Sequence, residues 1–420
     1  MGGRRARRRV TKLALAGGLV AGGVSGLSVG GPASAASTGV TVAGGHGAGA
    51  GANQLFFPQG VAVDSSGDVF SNGTDDPDFV NDRVQEWAPG AISGTTAAGG
   101  NGQGAAANQL HNATGLAVDS AWNLYVADTG NFRVVKWAPG ATSGVIVAGG
   151  NGPGSAANQI DSPFGVALDS SGNLYVSDSS EDRVQEWAPG ATAGVTVAGG
   201  NGTGSGANQL NVPLGIAVDT SGDVFVADEM NNRVQEWAPG ATSGVTVAGQ
   251  SAGSGANELE LPSGVAVDSS GDVFVADTEN NRVQEWTPGA TTGMTVAGTG
   301  VLGAGADEFN QPEDTTLDSS GNIFVADTSN SRVQEWTSGS GLPSFGGFSP
   351  AKGAPGSKVK ISGTNLSGAT KVTIGGAVAT IVSDTPTLIK IKVPASAKTG
   401  KIKVKTPGGT VKSATAFTVT

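Results

Sequence analysis

The sequence predicts an all-β protein of two modules, a six-bladed β-propeller followed by a small β-sandwich. Three observations predict it. Tryptophans stand about fifty residues apart at Trp87, Trp137, Trp187, Trp237, Trp286 and Trp336, and each closes the same phrase, RVQEW five times and RVVKW once. A self-similar period of that length marks stacked or radial repeats. Each period also holds short runs of β-branched and aromatic residues separated by Gly, Asp, Asn and Pro, the pattern of antiparallel hairpins. After Trp336 the period stops, and a lysine-rich tail of alternating charged and apolar residues takes over.

Composition narrows the function classes. The 420 residues include no cysteine, which excludes disulfides, thiolate metal sites and cysteine nucleophiles together. The 70 glycines recur at fixed places in the repeat, so they read as turns rather than as disorder. The net charge of −11 conceals blocks of opposite sign. Residues 1–36 carry six basic groups and no acid, residues 343–420 carry eleven lysines and one acid, and the segment between them holds 34 acids against seven basic residues. Such blocks govern solubility and association rather than fold.

Residues 1–35 read as an export signal. Arg4, Arg5, Arg7, Arg8, Arg9 and Lys12 form a basic start, and Leu13 to Val29 a glycine-diluted apolar stretch. Ala33-Ser34-Ala35 is a small-residue cleavage site, so the mature chain is expected to begin at Ala36. The paired arginines permit a twin-arginine route, although RRVTKL matches the rest of that motif poorly. The apolar stretch is too dilute for a membrane helix, which needs about 20 strongly apolar residues. No transmembrane segment is expected in the mature chain, and the expected location is the medium or the cell wall.

Residues 36–338 form the propeller. In the fourth repeat, Gly215 to Asp219 is a first strand, Asp223 to Asp228 a second, Arg233 to Trp237 a third and Val245 to Gly249 a fourth, with turns at Thr220-Ser221-Gly222 and Ala238-Pro239-Gly240. Four strands per unit, repeated radially, make a propeller. The phrases GVAVDSSGDVFVADTENNRVQEW and GVALDSSGNLYVSDSSEDRVQEW resemble NHL repeats, and the resemblance recurs six times over about residues 40–340. Six fourth-strand motifs exist, but one, VTVAG at 40–44, precedes the first blade and none follows Trp336. The expectation is that residues 40–44 complete the last blade and remove two exposed edges.

Residues 339–343 are a short linker, and residues 344–420 a second domain. Ser349-Pro350, Pro355-Gly356, Ile361 to Leu366, Val372 to Gly376 and Val404 to Gly409 resemble an IPT/TIG domain, which implies an immunoglobulin-like sandwich of six or seven short strands. Lys390, Lys392, Lys401, Lys403 and Lys405 alternate with apolar residues, which is expected to place them on one basic sheet face.

Candidate chemistry is sparse. Asp128, Asp178, Asp228, Asp277 and Asp327 end the second strands, and Asp64, Asp119, Asp169, Asp219, Asp268 and Asp318 end the first. They can cap turns, pair with Arg83, Arg133, Arg183, Arg233, Arg282 and Arg332 to brace blade against blade, or form a carboxylate ring able to hold Ca²⁺. The first blade carries an acidic insertion with Asp75, Asp76, Asp78 and Asp82, an asymmetric feature on the expected ligand face. That face is the one where the inter-blade connections and the second-to-third-strand turns emerge; its candidate residues are Asp75, Asp76, Asp78, Asp82, Asp128, Asp178, Asp228, Asp277, Asp327, His111 and Trp122, and both histidines, His46 and His111, could reach it. Trp122 breaks phase where Ser66 and Ser171 stand in other turns, and reads as an exposed contact aromatic. The repeated Trp residues read as inter-sheet core. No catalytic residue, metal site or resident cofactor is assigned, and no nucleophile elbow, zinc-binding helix or phosphate loop occurs.

These features point to a secreted, non-enzymatic binding or scaffold protein. Its propeller loop face would meet a protein or glycan ligand, and its basic domain an anionic cell-envelope polymer, with no nucleic-acid role. Propeller lyases and lactonases with a similar fold use histidines, carboxylates and a metal, so a metal-dependent lyase or lactone hydrolase is the alternative.

Overall fold

The computed structural model describes residues 38–73, 82–337, 343–363, 366, 369–384, 388–406 and 409–420. Six four-stranded antiparallel sheets account for the repeats. Blade 2 is representative, with strands Ala113–Val118, Leu124–Asp128, Arg133–Trp137 and Val145–Gly149 from the axis outward. The connections between blades, and the turns from second to third strand, share one end of the propeller, called here the loop end. The turns from first to second strand share the other, the turn end.

The ring is closed by the two ends of the repeat region. Val40–Gly44 is the outermost strand of blade 6, beside Pro312–Leu317, Ile323–Asp327 and Arg332–Trp336. It runs antiparallel to Arg332–Trp336, with Val40 opposite Glu335 and Gly44 opposite Arg332. The expected pairing of residues 40–44 with the last blade is what the structure contains.

The six repeated tryptophans fill the gaps between blades and are 1–3% exposed. Trp137 packs with Phe70 and Val84 of blade 1, and Trp87 with Ala43, Phe324 and Val333 of blade 6. Burying such a side chain is worth about 1.5–3 kcal/mol. Each indole is covered by the glycine that leads into the outermost strand. A Cβ on Gly94 would lie 2.7 Å from the Trp87 ring, and one on Gly194 or Gly244 2.6 Å from Trp187 or Trp237. In blade 6 that place is taken by Gly39, pressed on Trp336, and its amide donates to Ala306 O at 2.7 Å as Gly94 N does to Ala52 O. The closing strand thus repeats the internal blades down to a single glycine.

At the axis the innermost strands come so close that five of them carry glycine, at Gly60, Gly115, Gly165, Gly215 and Gly264. A Cβ on Gly165 would lie 2.5 Å from Leu214 O of the next blade. The sixth position is Asp314. Its Oδ2 accepts from Val61 N of blade 1 and its Oδ1 from Thr315 N, both at 2.9 Å. At the same junction Gln59 Nε2 donates to Glu313 Oε2 at 2.9 Å, and Thr328 Oγ1 to Pro58 O at 2.6 Å. Burial pushes the Asp314 carboxyl up to about 7; Glu313 adds to the rise, and the two amide bonds oppose it. The innermost strands of all six blades line a cavity of about 250 Å³ along the axis.

The C-terminal module has eight strands, more than expected: Gly347–Ser349, Lys352–Gly353, Lys358–Ser362, Lys371–Ile374, Ala377–Asp384, Leu388–Lys392, Gly400–Thr406 and Gly409–Val419. The long strand Ala377–Asp384 changes partner midway. Ala377 to Ala379 pair with Lys371–Ile374, and the residues from Thr380 onward pair with Leu388–Lys392. Two sheets result, and they enclose one core. Val359, Ile361, Ile389 and Ile391 come from one, and Val372, Ile374, Ile402 and Val404 from the other. Among the described residues no helix is long and apolar enough to cross a membrane.

Two outcomes follow for the closing junction. Gly39→Leu, which forces a side chain into the Trp336 indole, is expected to lower stability in urea denaturation by about 1–3 kcal/mol, as Gly194→Leu does in an internal blade; a neutral Gly39→Leu beside a damaging Gly194→Leu contradicts the closure. For Asp314, the folded state keeps a proton up to about pH 7 that the unfolded chain releases near its ordinary carboxyl range. Its contribution therefore turns against folding as pH rises through that interval, by up to ~1.4 kcal/mol per pH unit. Asp314→Asn keeps an acceptor for Val61 N without the charge. Its stability gain over the natural chain is expected to be larger at pH 8 than at pH 5, and an equal difference at both contradicts the assignment.

Candidate functional site

The loop end is held down by one Asp–Arg network repeated in five blades, with an added asparagine in four of them. In blade 2, Arg133 Nε donates to Asp128 Oδ2 at 2.6 Å, Asn131 Nδ2 to both carboxylate oxygens at 2.9 Å, and His111 N to Oδ1 at 2.7 Å. The guanidinium also reaches Ala105 O at 2.9 Å and Gln109 O at 3.2 Å, which ties down the incoming connection. Arg183–Asp178, Arg233–Asp228, Arg282–Asp277 and Arg332–Asp327 repeat the pair at 2.6–3.0 Å. Burial pushes all five carboxyls upward, and their hydrogen bonds and arginines hold them back.

This corrects two expectations. Asp128, Asp178, Asp228, Asp277 and Asp327 are fully buried beneath the loop face instead of presented on it. The pairs also act within a blade and on its incoming connection, because Asp and Arg stand opposite each other in one hairpin. Blade-to-blade bonds come from neighbouring positions. Thr129 Oγ1 donates to Pro163 O, Ser179 Oγ to Pro213 O and Thr278 Oγ1 to Pro312 O at 2.6–2.8 Å. Asp82, 6% exposed, accepts from Asn112 N of the next blade at 2.7 Å, and Asp182 from Val212 N at 2.9 Å. Asp82 is a brace, while Asp75, Asp76 and Asp78 lie outside the described residues.

The first-strand carboxylates sit at the opposite end and cap turns. Asp119 Oδ1 accepts from Ala121 N and Asn123 N at 2.9 Å, and Asp64, Asp169, Asp219, Asp268 and Asp318 do the same in their blades. His111 lies at the loop end with its ring against Gly130, where a Cβ would meet it at 2.5–2.8 Å. His46 Nδ1 stands 3.0 Å from Gly44 O. Among the described residues no group of three His, Asp or Glu side chains is placed to hold one metal ion.

Trp122 belongs to the turn end, away from His111 and Asp128, so the expected ligand-face candidates are split between opposite ends of the propeller. Its indole is half exposed, at 50%. It matches the turn glycine of the other blades and not the turn serine. Gly67, Gly172, Gly222, Gly271 and Gly321 have φ between 80° and 85°, and Trp122 keeps the left-handed conformation at φ 60°. For a residue with a Cβ that conformation costs about 1–2 kcal/mol. The sequence signal is the absence of the turn glycine from DSAWN, against DSSGD, DSSGN and DTSGD elsewhere. Trp122 walls a groove of about 760 Å³ between blades 1 and 2, with Asp64, Asp68 and Glu86 on the facing blade. Burial raises the Asp68 and Glu86 carboxyls, and their acidic neighbours raise them further.

The lysines of the second domain occupy two faces, which corrects the single basic face expected. Lys390 and Lys392 lie on one sheet, directly opposite Lys360 and Lys358. Lys403 and Lys405 lie on the other sheet, opposite Lys412 and Lys371, with Lys401 next along the strand. All nine are exposed, and the core lies between the two sheets. The mid-strand change of partner in Ala377–Asp384 separates the two sets. Like charges directly opposite are unfavourable in an isolated sheet.

Comparison with known proteins agrees with this architecture. The NHL repeat model matches residues 210–237, 259–286 and 309–336, and the IPT/TIG domain model residues 343–419. No curated protein matches the sequence. Among solved structures, a protein of unknown function from Bacteroides thetaiotaomicron is similar at 18% identity and TM-score 0.55, over 71% of this chain and 75% of that one. An auxiliary nutrient binding protein from Bacteroides ovatus is similar at 12% identity and TM-score 0.54, over 71% and 76%. One from Bacteroides thetaiotaomicron is similar at 14% and 0.51, over 71% and 75%. Likeness at these identities speaks to fold alone. The chain is a six-bladed propeller with NHL repeats, followed by a C-terminal IPT/TIG domain.

Proposed function

We propose that this is an exported binding or scaffold protein without an enzymatic role. The propeller presents its loop face to a protein or glycan ligand, and the IPT/TIG domain contacts an anionic polymer of the cell envelope. The observation that carries this reading is the register of the lysines. Four like-charge pairs, Lys358–Lys392, Lys360–Lys390, Lys371–Lys405 and Lys403–Lys412, stand directly across adjacent strands. The domain carries one acid to offset eleven lysines. An anionic polymer removes the repulsion within each set, and the charge supplies attraction at a distance.

Two further observations support a binding role. Five of the connections at the loop end are pinned by buried ion pairs, and in the sixth Arg83 donates to Gly51 O at 2.9 Å, which suits a preorganised recognition surface. Two structural neighbours are described as auxiliary nutrient binding proteins, a description compatible with ligand capture on a propeller.

Envelope association is expected to fall steeply as salt rises, because exposed charges are screened within about 10 Å at 0.1 M ionic strength. The fourfold variant Lys358→Gln, Lys360→Gln, Lys390→Gln and Lys392→Gln is expected to reduce retention on isolated envelopes. Retention that is the same at low and high salt, measured by co-sedimentation, contradicts the proposal.

A further inference from the structure

Blade 2 departs from the repeat at one point of the turn end. Four of the turn glycines, Gly67, Gly172, Gly222 and Gly271, have nothing but the ring of a proline, Pro89, Pro189, Pro239 or Pro288, within reach of a Cβ. Room for a side chain therefore exists in these turns, but the left-handed backbone favours glycine. Trp122 accepts that backbone and leaves half of its indole in solvent. Core packing does not account for it, because the gap between blades 1 and 2 is already filled by Trp137 with Phe70, Val84 and Leu124.

The groove beside Trp122 supplies the missing reason. At about 760 Å³ it falls within the ~300–1,000 Å³ range of small-molecule sites. One wall carries Trp122, and the other Asp64, Asp68 and Glu86, with Thr95 and Thr96 of the same blade also lining the groove. None of the residues lining it is basic. An exposed indole offers a flat apolar surface, and carboxylates are strong paired acceptors for hydroxyl groups. A pyranose ring has both complements, an apolar C–H face and a rim of hydroxyl donors.

We infer that this groove binds a short oligosaccharide, with one pyranose ring stacked on Trp122 and its hydroxyls donating to Asp68 and Glu86. The inference rests on the reading of the chain as a binding protein, but it places a glycan site between two blades at the turn end, the end of the propeller opposite the loop face.

The test uses the full chain with cellohexaose, chitohexaose and maltohexaose as probes, followed by isothermal titration and by the Trp122 indole N–H resonance. At least one probe is expected to bind and to shift that resonance. Trp122→Gly restores the residue that the turn prefers, so it is expected to raise the melting temperature and to weaken binding at least tenfold. Trp122→Phe is expected to keep part of the affinity, and Asp68→Asn with Glu86→Gln to weaken it without lowering the melting temperature. The inference is overturned if no probe binds, if Trp122→Gly binds as well as the natural chain, or if Trp122→Gly lowers the melting temperature, which makes the indole structural. Salt-sensitive envelope retention is unaffected by any of these variants, so failure here and failure of the lysine proposal are separable.

Discussion

The architecture depends on one strand pairing made by residues far apart in the chain. Val40–Gly44 completes the blade that Arg332–Trp336 would otherwise leave open. Without it, blade 6 has an unpaired edge and Trp336 loses the glycine that covers it. A ring of six sheets has no other point at which its ends can be joined, so every inter-blade gap relies on this one. The same junction carries Asp314, Glu313 and Thr328, each bonded across to blade 1. Closure is therefore reinforced near the axis as well as at the rim.

Around that ring, rigidity and recognition are divided between repeated and exceptional residues. The repeated Asp–Arg pairs, turn caps and hydroxyl bridges fix the blades and their connections. Breaking a buried ion pair by removing one partner typically costs 3–5 kcal/mol, so these positions read as framework. The exceptions carry the functional interest. Blade 2 places a tryptophan where five blades have glycine, and blade 6 places an aspartate where five have glycine. Departures from a sixfold pattern are informative because the other copies show what the fold alone requires.

Much of this was legible in the sequence. Tryptophan spacing gave the blade count, and the surplus VTVAG before the first blade gave the closure, because a period leaves a remainder that can be counted. The roles of the carboxylates were harder to read. Asp128 and Asp119 are the same residue at similar turns, and only the register separates the one buried against Arg133 from the one capping a turn. Alternation along a strand points the lysines to one face, because it says which side of its own sheet a residue occupies. It does not say that Ala377–Asp384 crosses between sheets and sets Lys390 and Lys403 back to back. The sequence pattern sets Trp122 against the turn serines Ser66 and Ser171, whereas the turn is defined by its left-handed residue, one position on.

Amide hydrogen exchange tests the closure most directly. If the first described strand is locked to the last, the amides of Arg332–Trp336 exchange as slowly as those of Arg183–Trp187 and Arg233–Trp237, and the amides within Val40–Gly44 that pair with Arg332–Trp336 share the protection of the other outermost strands. Fast exchange confined to Val40–Gly44 and Arg332–Trp336, with the remaining blades protected, would mean that the ring is open in solution.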